Sequence, residues 1–180
     1  MATYRDIKGD LVETVASDPS NPLEGDIWYN TTTGTIKGLG FRASAWASAN
    51  SISTGRYLLG SAGATYNATI VFGGVTNPGS SYRAQTESYD GTSWSELNDM
   101  NTGRFLPAKS IGTSAAALAA GGYTGTTVAN VEEWNGSSWS EETNMPANNR
   151  NQAGFGTQTA GVVAGGQGPA IWANVYHYDG

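Results

Sequence analysis

The sequence contains an internal repeat, and its period limits the folds that the chain can adopt. Tryptophans recur at intervals of 48 and 45 residues. Arginines recur at intervals of 48 and 46 residues, and glycine pairs at intervals of 48 and 44. The landmarks are Trp46, Trp94 and Trp139; Arg56, Arg104 and Arg150; and Gly73 with Gly74, Gly121 with Gly122, and Gly165 with Gly166. A fixed period of this length is typical of chains built from repeated supersecondary units.

Within each repeat, the residue pattern predicts four short strands. An apolar run ends in the glycine pair, a variable loop follows, and an alternating segment leads to Asp90-Gly91 or Asn135-Gly136. These dipeptides supply the positive φ angles of a two-residue hairpin turn, so the third strand should pair with the fourth. We expect the second strand to be buried on both faces. The predicted fold is all-β, with about three four-stranded units of 44–48 residues, at about 41–91, 92–136 and 137–180.

Composition agrees with β structure and argues against several classes of function. Only 13% of residues are charged and 25 are glycines, which disfavours long helices. The absence of cysteine excludes disulfides, thiol catalysis and cysteine-bound metals. The net charge is -6, and the nine lysines and arginines are scattered. We therefore expect neither nucleic acid nor a membrane as a partner.

The first 40 residues differ from the repeats. Six of the 15 acidic residues lie within the first 26 positions. We predict a docking arm over residues 1–24, a β-hairpin over 25–40 and a repeat domain over 41–180. The apolar residues of the arm could form a helical stripe or an extended segment. The candidate docking residues are Tyr4, Ile7, Leu11, Val12, Val15, Trp28 and Tyr29.

Two groups of motifs resemble known families. An apolar strand, a double glycine and an aromatic pair such as Tyr89 with Trp94 resemble the kelch repeat. The form Tyr-Asp-Gly-Thr-Ser-Trp is similar to divergent kelch-like repeats in structural proteins of tailed bacteriophages, particularly marine phages. Residues 18–22 and 25–34, Asp-Pro-Ser-Asn-Pro and Gly-Asp-Ile-Trp-Tyr-Asn-Thr-Thr-Thr-Gly, resemble a leader that precedes such repeats in virion proteins.

The resemblance implies blades of a kelch-like β-propeller in an incomplete ring, preceded by the arm and hairpin. It implies a virion structural protein, with a tail fibre or appendage as the first placement and a head decoration or capsid fibre as the second. The implied partners are other virion proteins, further copies of the chain, and a host surface glycan or receptor. A secreted carbohydrate-binding kelch-like module is the alternative.

The resemblance also raises the copper chemistry of kelch-like oxidases, which needs a cysteine-linked tyrosine and histidine ligands. The chain has no cysteine and one histidine, His177. The adjacent pairs Glu132-Glu133 and Glu141-Glu142 point to opposite faces of a strand, and we interpret them as solvated edge residues. We therefore expect no enzyme activity and no cofactor.

The first copies of the repeated tryptophan and arginine, Trp46 and Arg56, do not belong to a complete four-stranded unit. Residues 41–56 align with 89–104 without a gap, as a fourth strand that has no first three before it. Residues 175–180 reach the turn at which another fourth strand would begin. Either the chain continues beyond residue 180, which we favour, or protomers associate so that a strand of one completes a unit of the next.

The repeat-locked residues and the variable loops have different expected roles. We interpret the three arginines as internal ties that donate to loop carbonyls, and the tryptophans as packing residues. The variable loops at 75–82, 123–127 and 167–172 are the better candidates for recognition. Their aromatic residues are Tyr82, Tyr123 and Trp172.

Overall fold

A computed structural model describes residues 12–23, 25–40, 46–76, 81–106 and 111–180. These residues form strands and turns and no helix, which confirms the all-β prediction. The chain divides into two compact units, residues 1–48 and 49–180.

The first unit contains a three-stranded sheet. Its strands are β1 (Glu13–Val15), β2 (Ile27–Asn30) and β3 (Thr35–Gly38). β2 and β3 form the predicted hairpin, and β1 pairs in parallel with β2. Residues 13–15 therefore belong to the sheet, which corrects the division between arm and hairpin and excludes a helix there. Residues 1–11, with Tyr4, Ile7 and Leu11, lie outside the described part of the chain.

Asp18 holds this sheet together through its carboxylate. It accepts hydrogen bonds from Trp28 Nε1 at 3.1 Å and Asn30 Nδ2 at 2.8 Å, and Lys37 Nζ lies 2.8 Å away. The contact with Lys37, followed by those with Asn30 and Trp28, lowers the pKa of Asp18 to about 2. Because this pKa lies below its ordinary value of 3.8, the network stabilises the folded unit above about pH 4 and loses that effect as the pH falls towards 2.

The second unit begins with a four-stranded antiparallel sheet. Its strands, in spatial order, are β4 (Gly60–Thr65), β5 (Ala68–Phe72), β8 (Thr86–Tyr89) and β9 (Trp94–Leu97). The loop between β5 and β8 forms a small hairpin of β6 (Val75–Thr76) and β7 (Ser81–Tyr82). This sheet has the predicted four-stranded plan.

Two further antiparallel sheets follow the first. One contains β10 (Ala117–Tyr123), β11 (Thr127–Trp134) and β12 (Trp139–Glu142), and the other contains β13 (Ala153–Thr157), β14 (Ala160–Ala164) and β15 (Val175–Tyr178). Each has three strands within the described residues, where four were predicted. The described sheets do not form a closed ring.

The third and fourth strands pair as predicted, but their loop is longer than expected. Tyr89 lies opposite Trp94, and Trp134 lies opposite Trp139. Only the glycine of each turn has a positive φ, 97° at Gly91 and 92° at Gly136. A two-residue turn of the predicted kind needs two such angles, whereas here an Asp or Asn side chain caps a four-residue loop.

Burial of the second strand also differs between the sheets. β10 is buried from Ala117 to Gly122, as expected for a strand covered on both faces. β5 and β14 instead alternate between buried and more exposed residues. The prediction of burial on both faces is therefore wrong for these two strands. Larger side chains, such as Phe72 and Val163, supply their buried face.

Trp46 does not occupy the predicted strand. Residues 46–50 have no strand pairing, and Trp46 is fully exposed. The matching residue, Trp94, lies in β9 and has β8 as its neighbour. Residues 41–45 lie outside the described part.

Two apolar clusters form the core of the second unit. The first joins the first two sheets and includes Phe72, Met100, Trp134 and Trp139. The rings of Phe72 and Trp139 meet edge to face at 4.8 Å, and Trp139 Nε1 donates to Thr86 Oγ1 at 2.9 Å. The second cluster joins the second and third sheets and contains Ile111, Leu118, Ala120, Val131 and Val163.

Two of the repeated arginines form buried ion pairs. Arg56 donates to Glu87 at 2.6 Å, and Arg104 donates to Glu132. All four side chains are at most 1% exposed. Glu132 is therefore not a solvated edge residue, because it accepts hydrogen bonds from Arg104 and from the backbone and side chain of Asn101.

The third arginine is displaced by one residue from this position. Tyr57, Phe105 and Arg150 each form a backbone bridge to the residue after a glycine pair. The equivalent of Arg104 is therefore Asn149, whose Nδ2 donates to Gly165 O at 2.9 Å, as Arg104 Nε donates to Gly121 O. Arg150 instead lies over the ring of Tyr123. The intervals of 45 residues for tryptophan and 44 for the glycine pair agree better with Asn149 than with Arg150.

The equivalence of Asn149 with Arg104 predicts that two arginine substitutions lower the free energy of unfolding by different amounts. Arg104→Ala leaves Glu132 buried without its cation, and we expect the free energy of unfolding to fall by about 3–5 kcal/mol. Arg150→Ala removes a half-buried contact with one ring and should cost about 1 kcal/mol or less. Urea denaturation of both variants measures the difference, and equal losses would contradict the assignment of Asn149.

Candidate functional site

The glycine pairs set the position of the variable loops. The first and second glycines have φ angles of 65° and 100° at Gly73 and Gly74, and of 65° and 119° at Gly121 and Gly122. These left-handed conformations suit glycine because a side chain would meet nearby backbone. The second glycine donates its N–H to the linking segment of the next sheet, to Arg104 O at 3.0 Å or Asn149 O at 2.8 Å. Each loop therefore leaves its strand from an anchored point.

Aromatic side chains from two of these loops meet. The ring centroids of Tyr82 and Tyr123 are 5.7 Å apart in an edge-to-face arrangement. Phe105 stacks on Tyr123 at 5.1 Å and lies 6.4 Å from Tyr82. The guanidinium carbon of Arg150 is 4.7 Å from the centroid of Tyr123. We call these four residues the aromatic cluster.

A pocket of about 540 Å³ adjoins the aromatic cluster through Tyr123. Trp172, from the third variable loop, lines it as well. The other lining residues are Gly125, Thr126, Thr127, Ala147, Asn148, Gly168 and Pro169. Tyr123 therefore connects the aromatic cluster, which contains Tyr82, to the pocket, which Trp172 also lines.

The chemistry of the pocket suits a neutral or acidic hydroxylated ligand. Tyr123 and Trp172 supply aromatic surface, while Thr126, Thr127 and Asn148 supply hydroxyl and amide groups. The lining contains no carboxylate or histidine. Arg150 lies beside it, and its Nε is buried without a hydrogen-bond partner. Flat apolar surface combined with a few polar groups is a pattern that binds small polar molecules.

Comparisons with known proteins give a fold but no family. No family model matches the chain, and no curated protein matches it. The chain is similar to the solved structure of YjhT, with a TM-score of 0.58 and 12% sequence identity. The similarity covers 84% of this chain and 48% of that one, so this chain spans about half the length of its structural neighbour. Likeness at this identity concerns the fold alone.

Sequence reasoning identified the three loop aromatics but missed two members of the aromatic cluster. Phe105 follows Arg104 as Tyr57 follows Arg56, and this repetition was the signal that could have indicated its role. Arg150 was assigned to the buried ties because of its spacing. Its position over the ring of Tyr123 follows from the one-residue offset of the backbone bridges.

The candidate docking residues separate into exposed and buried groups. Trp28 is buried and bonded to Asp18, so it packs within its own unit and offers no docking surface. Val12 and Val15 are half-buried. Tyr29 is 38% exposed, and the adjacent apolar residues Ile27 and Ile36 are 44% and 70% exposed. We call Ile27, Tyr29 and Ile36 the exposed sheet face, because Tyr29 alternates with the buried Trp28 and pairs with Ile36.

Other site types find little support in the part of the chain that the structure describes. No group of three or more acidic or histidine side chains there could hold a metal ion. His177 lies on β15 opposite Val162 and is exposed. None of the described elements is a helix of the length and hydropathy that crossing a membrane requires.

Proposed function

We propose that this chain is a structural protein of a tailed phage particle that attaches to a host surface glycan. The observation that carries the binding role is that Tyr123 and Trp172, from two repeat-related loops, line one pocket, while Tyr82 from a third loop packs against Tyr123. Aromatic faces stack on the apolar face of a sugar ring, and the threonine and asparagine side chains can bond its hydroxyls. The kelch-like and leader-like motifs support the phage assignment.

The repeats act, in this proposal, as blades of a kelch-like β-propeller. Three observations support this finer description of the all-β fold. The backbone bridges recur from sheet to sheet, at Tyr57, Phe105 and Arg150. The glycine pairs repeat their φ angles, and Trp139 packs one sheet on the next. Blades stacked in this way present successive loops beside one another, as a shared binding surface requires.

The first unit serves as the docking element. Its exposed sheet face offers three apolar side chains, Ile27, Tyr29 and Ile36, on a small sheet that a partner could cover. Other virion proteins are the proposed partners. A tail fibre or appendage is the first placement, because such parts contact the host, and a head decoration is the second.

A binding role suits the pocket better than catalysis. Hydrolysis of a glycoside generally uses two carboxyl groups placed on opposite sides of the bond that breaks. The pocket lining carries none, and Glu132 is engaged with Arg104 away from it. We therefore propose a non-enzymatic protein.

Substitution of the pocket aromatics tests the binding role. On a glycan array, the wild-type chain should bind a subset of sugars, and Trp172→Ala and Tyr123→Ala should each weaken that binding at least ten-fold, about 1.4 kcal/mol. Tyr66→Ala is the matched control, because Tyr66 is 81% exposed and does not line the pocket. An array without any bound glycan, or equal losses in the control, would contradict the binding role.

Labelling of intact particles tests the virion role separately. Gold-conjugated antibodies against the second unit should decorate one position on phage particles produced from the genome that encodes this chain. Label on the tail supports the first placement and label on the head supports the second. Protein found only free in the medium, with unlabelled particles, would instead favour the secreted carbohydrate-binding module.

A further inference from the structure

The packing of Trp139 defines a slot between neighbouring sheets. Trp139 lies on β12, the last strand of the second sheet, and is only 7% exposed. Its indole meets Phe72 of the first sheet and Trp134 of its own sheet, at ring distances of 4.8 and 5.4 Å. Its Nε1 donates to Thr86. A tryptophan on the fourth strand thus fills the space between its own sheet and the preceding one.

The same slot exists between the second and third sheets and contains a pocket. The strand registers and repeat intervals make Ala120 equivalent to Phe72, Val131 to Thr86, and Tyr178 to Trp134. Ala120, Val131 and Tyr178 all line a pocket of about 320 Å³. Met145, which corresponds to Met100 of the first core cluster, lines it as well. No described side chain fills the position that Trp139 occupies one sheet earlier.

In the part of the chain that the structure describes, no strand that could carry such a side chain pairs with the outer edge of β15. In the first two sheets, β8 pairs with β9 and β11 pairs with β12. Among the described residues, β15 pairs only with β14, on its other edge. An unpaired edge presents free N–H and C=O groups to any strand that approaches it.

A segment whose sequence aligns with β9 lies elsewhere in the chain and belongs to no sheet. Residues 46–49, Trp-Ala-Ser-Ala, align with β9 at an offset of 48. The residues that follow 46–49 form the same hydrogen bonds as the residues that follow β9. Asn50 Nδ2 donates to Thr92 O at 2.6 Å, and its equivalent Asn98 Nδ2 donates to Ser137 O at 2.8 Å. In the same way, Ser53 N donates to Glu87, and its equivalent Asn101 N donates to Glu132. Residues 46–49 therefore precede the first sheet as β9 precedes the second.

We propose that residues 46–49 of a second copy of this chain add to the edge of β15, with the indole of Trp46 in the 320 Å³ pocket. Trp46 is a fully exposed indole, and this pocket is the equivalent of an indole site. Strand addition supplies main-chain hydrogen bonds, and the indole fixes the register. By analogy with β8 and β9, Trp46 lies opposite Tyr178, and Ala47 lies opposite His177. The contact is head-to-tail, so it generates a closed ring or a filament of copies.

Cross-linking between two separately labelled proteins tests this contact, because the chain contains no cysteine. Ala47→Cys protein is mixed with His177→Cys protein under mild oxidation. Residues opposite each other in a sheet have Cα atoms about 4.5–5.5 Å apart, within the range of a disulfide. We expect a cross-linked species of twice the chain mass on a non-reducing gel, reduced at least ten-fold when Trp46→Ala is added to the Ala47→Cys protein.

Two controls make the result decisive. Asn67→Cys replaces His177→Cys as an exposed position in the turn between β4 and β5, away from β15, and Tyr66→Ala replaces Trp46→Ala as the loss of another exposed aromatic ring. Cross-linking at the control cysteine as strong as at His177→Cys would overturn the proposal, and so would a loss with Tyr66→Ala as large as the loss with Trp46→Ala. A single-chain mass for the wild type in sedimentation would overturn it as well. Cross-linking within one chain that carries both cysteines would overturn the second copy as the occupant. Neither cysteine lies in the glycan pocket, so failure here leaves the binding role intact.

Discussion

The buried contact between an arginine and a glutamate determines how one repeat meets the next. Arg104 and Glu132 are both fully buried, and a charge in that position is costly unless its partner and its hydrogen bonds are all present. Arg104 satisfies the requirement by donating also to the carbonyls of Thr102, Gly121 and Ala119. These bonds hold the linking segment against the inner strand and its glycine pair. The variable loop therefore begins at a defined point, and Phe105 is placed beside Tyr123.

The third sheet keeps this geometry without the charges. Asn149 replaces the arginine, and its side chain donates only to the carbonyl of Gly165. Tyr176 takes the position of the glutamate: it pairs with Val163, as Glu87 pairs with Val71 and Glu132 pairs with Ala119. Loss of both charges together leaves no buried ion without a partner. Arg150, one residue later, then extends towards the aromatic cluster. The third sheet therefore replaces the buried Arg104 with Asn149, and the half-buried Arg150 that follows it contacts the candidate site.

Periodicity predicted much of the fold, because each repeat carries its own turn and strand signals. The pairing of Tyr89 with Trp94 was within reach of the sequence. So was the choice of three loop aromatics, of which Tyr82 contacts Tyr123, and Tyr123 shares a pocket with Trp172. The role of Glu132 was not, because a glutamate in an alternating segment is ordinarily solvated and is buried here only through its pairing with a distant arginine. The short strand Glu13–Val15 carries too little pattern to predict its parallel pairing. The spacing of the arginines predicted a register that is wrong by one residue in the third sheet, because Arg150 directly follows Asn149, the residue equivalent to Arg104.

The equivalence of the three sheets is tested most directly by installing the missing ion pair in the third. Asn149→Arg alone buries a charge without a partner and should lower the free energy of unfolding by about 3 kcal/mol or more, whereas Tyr176→Glu alone, at a half-buried position, should lower it by less. The double variant re-creates the arrangement of Arg104 and Glu132, and the account predicts that it recovers more than half of the summed loss. Strictly additive losses in urea denaturation would contradict the claim that Asn149 and Tyr176 occupy the positions of that pair.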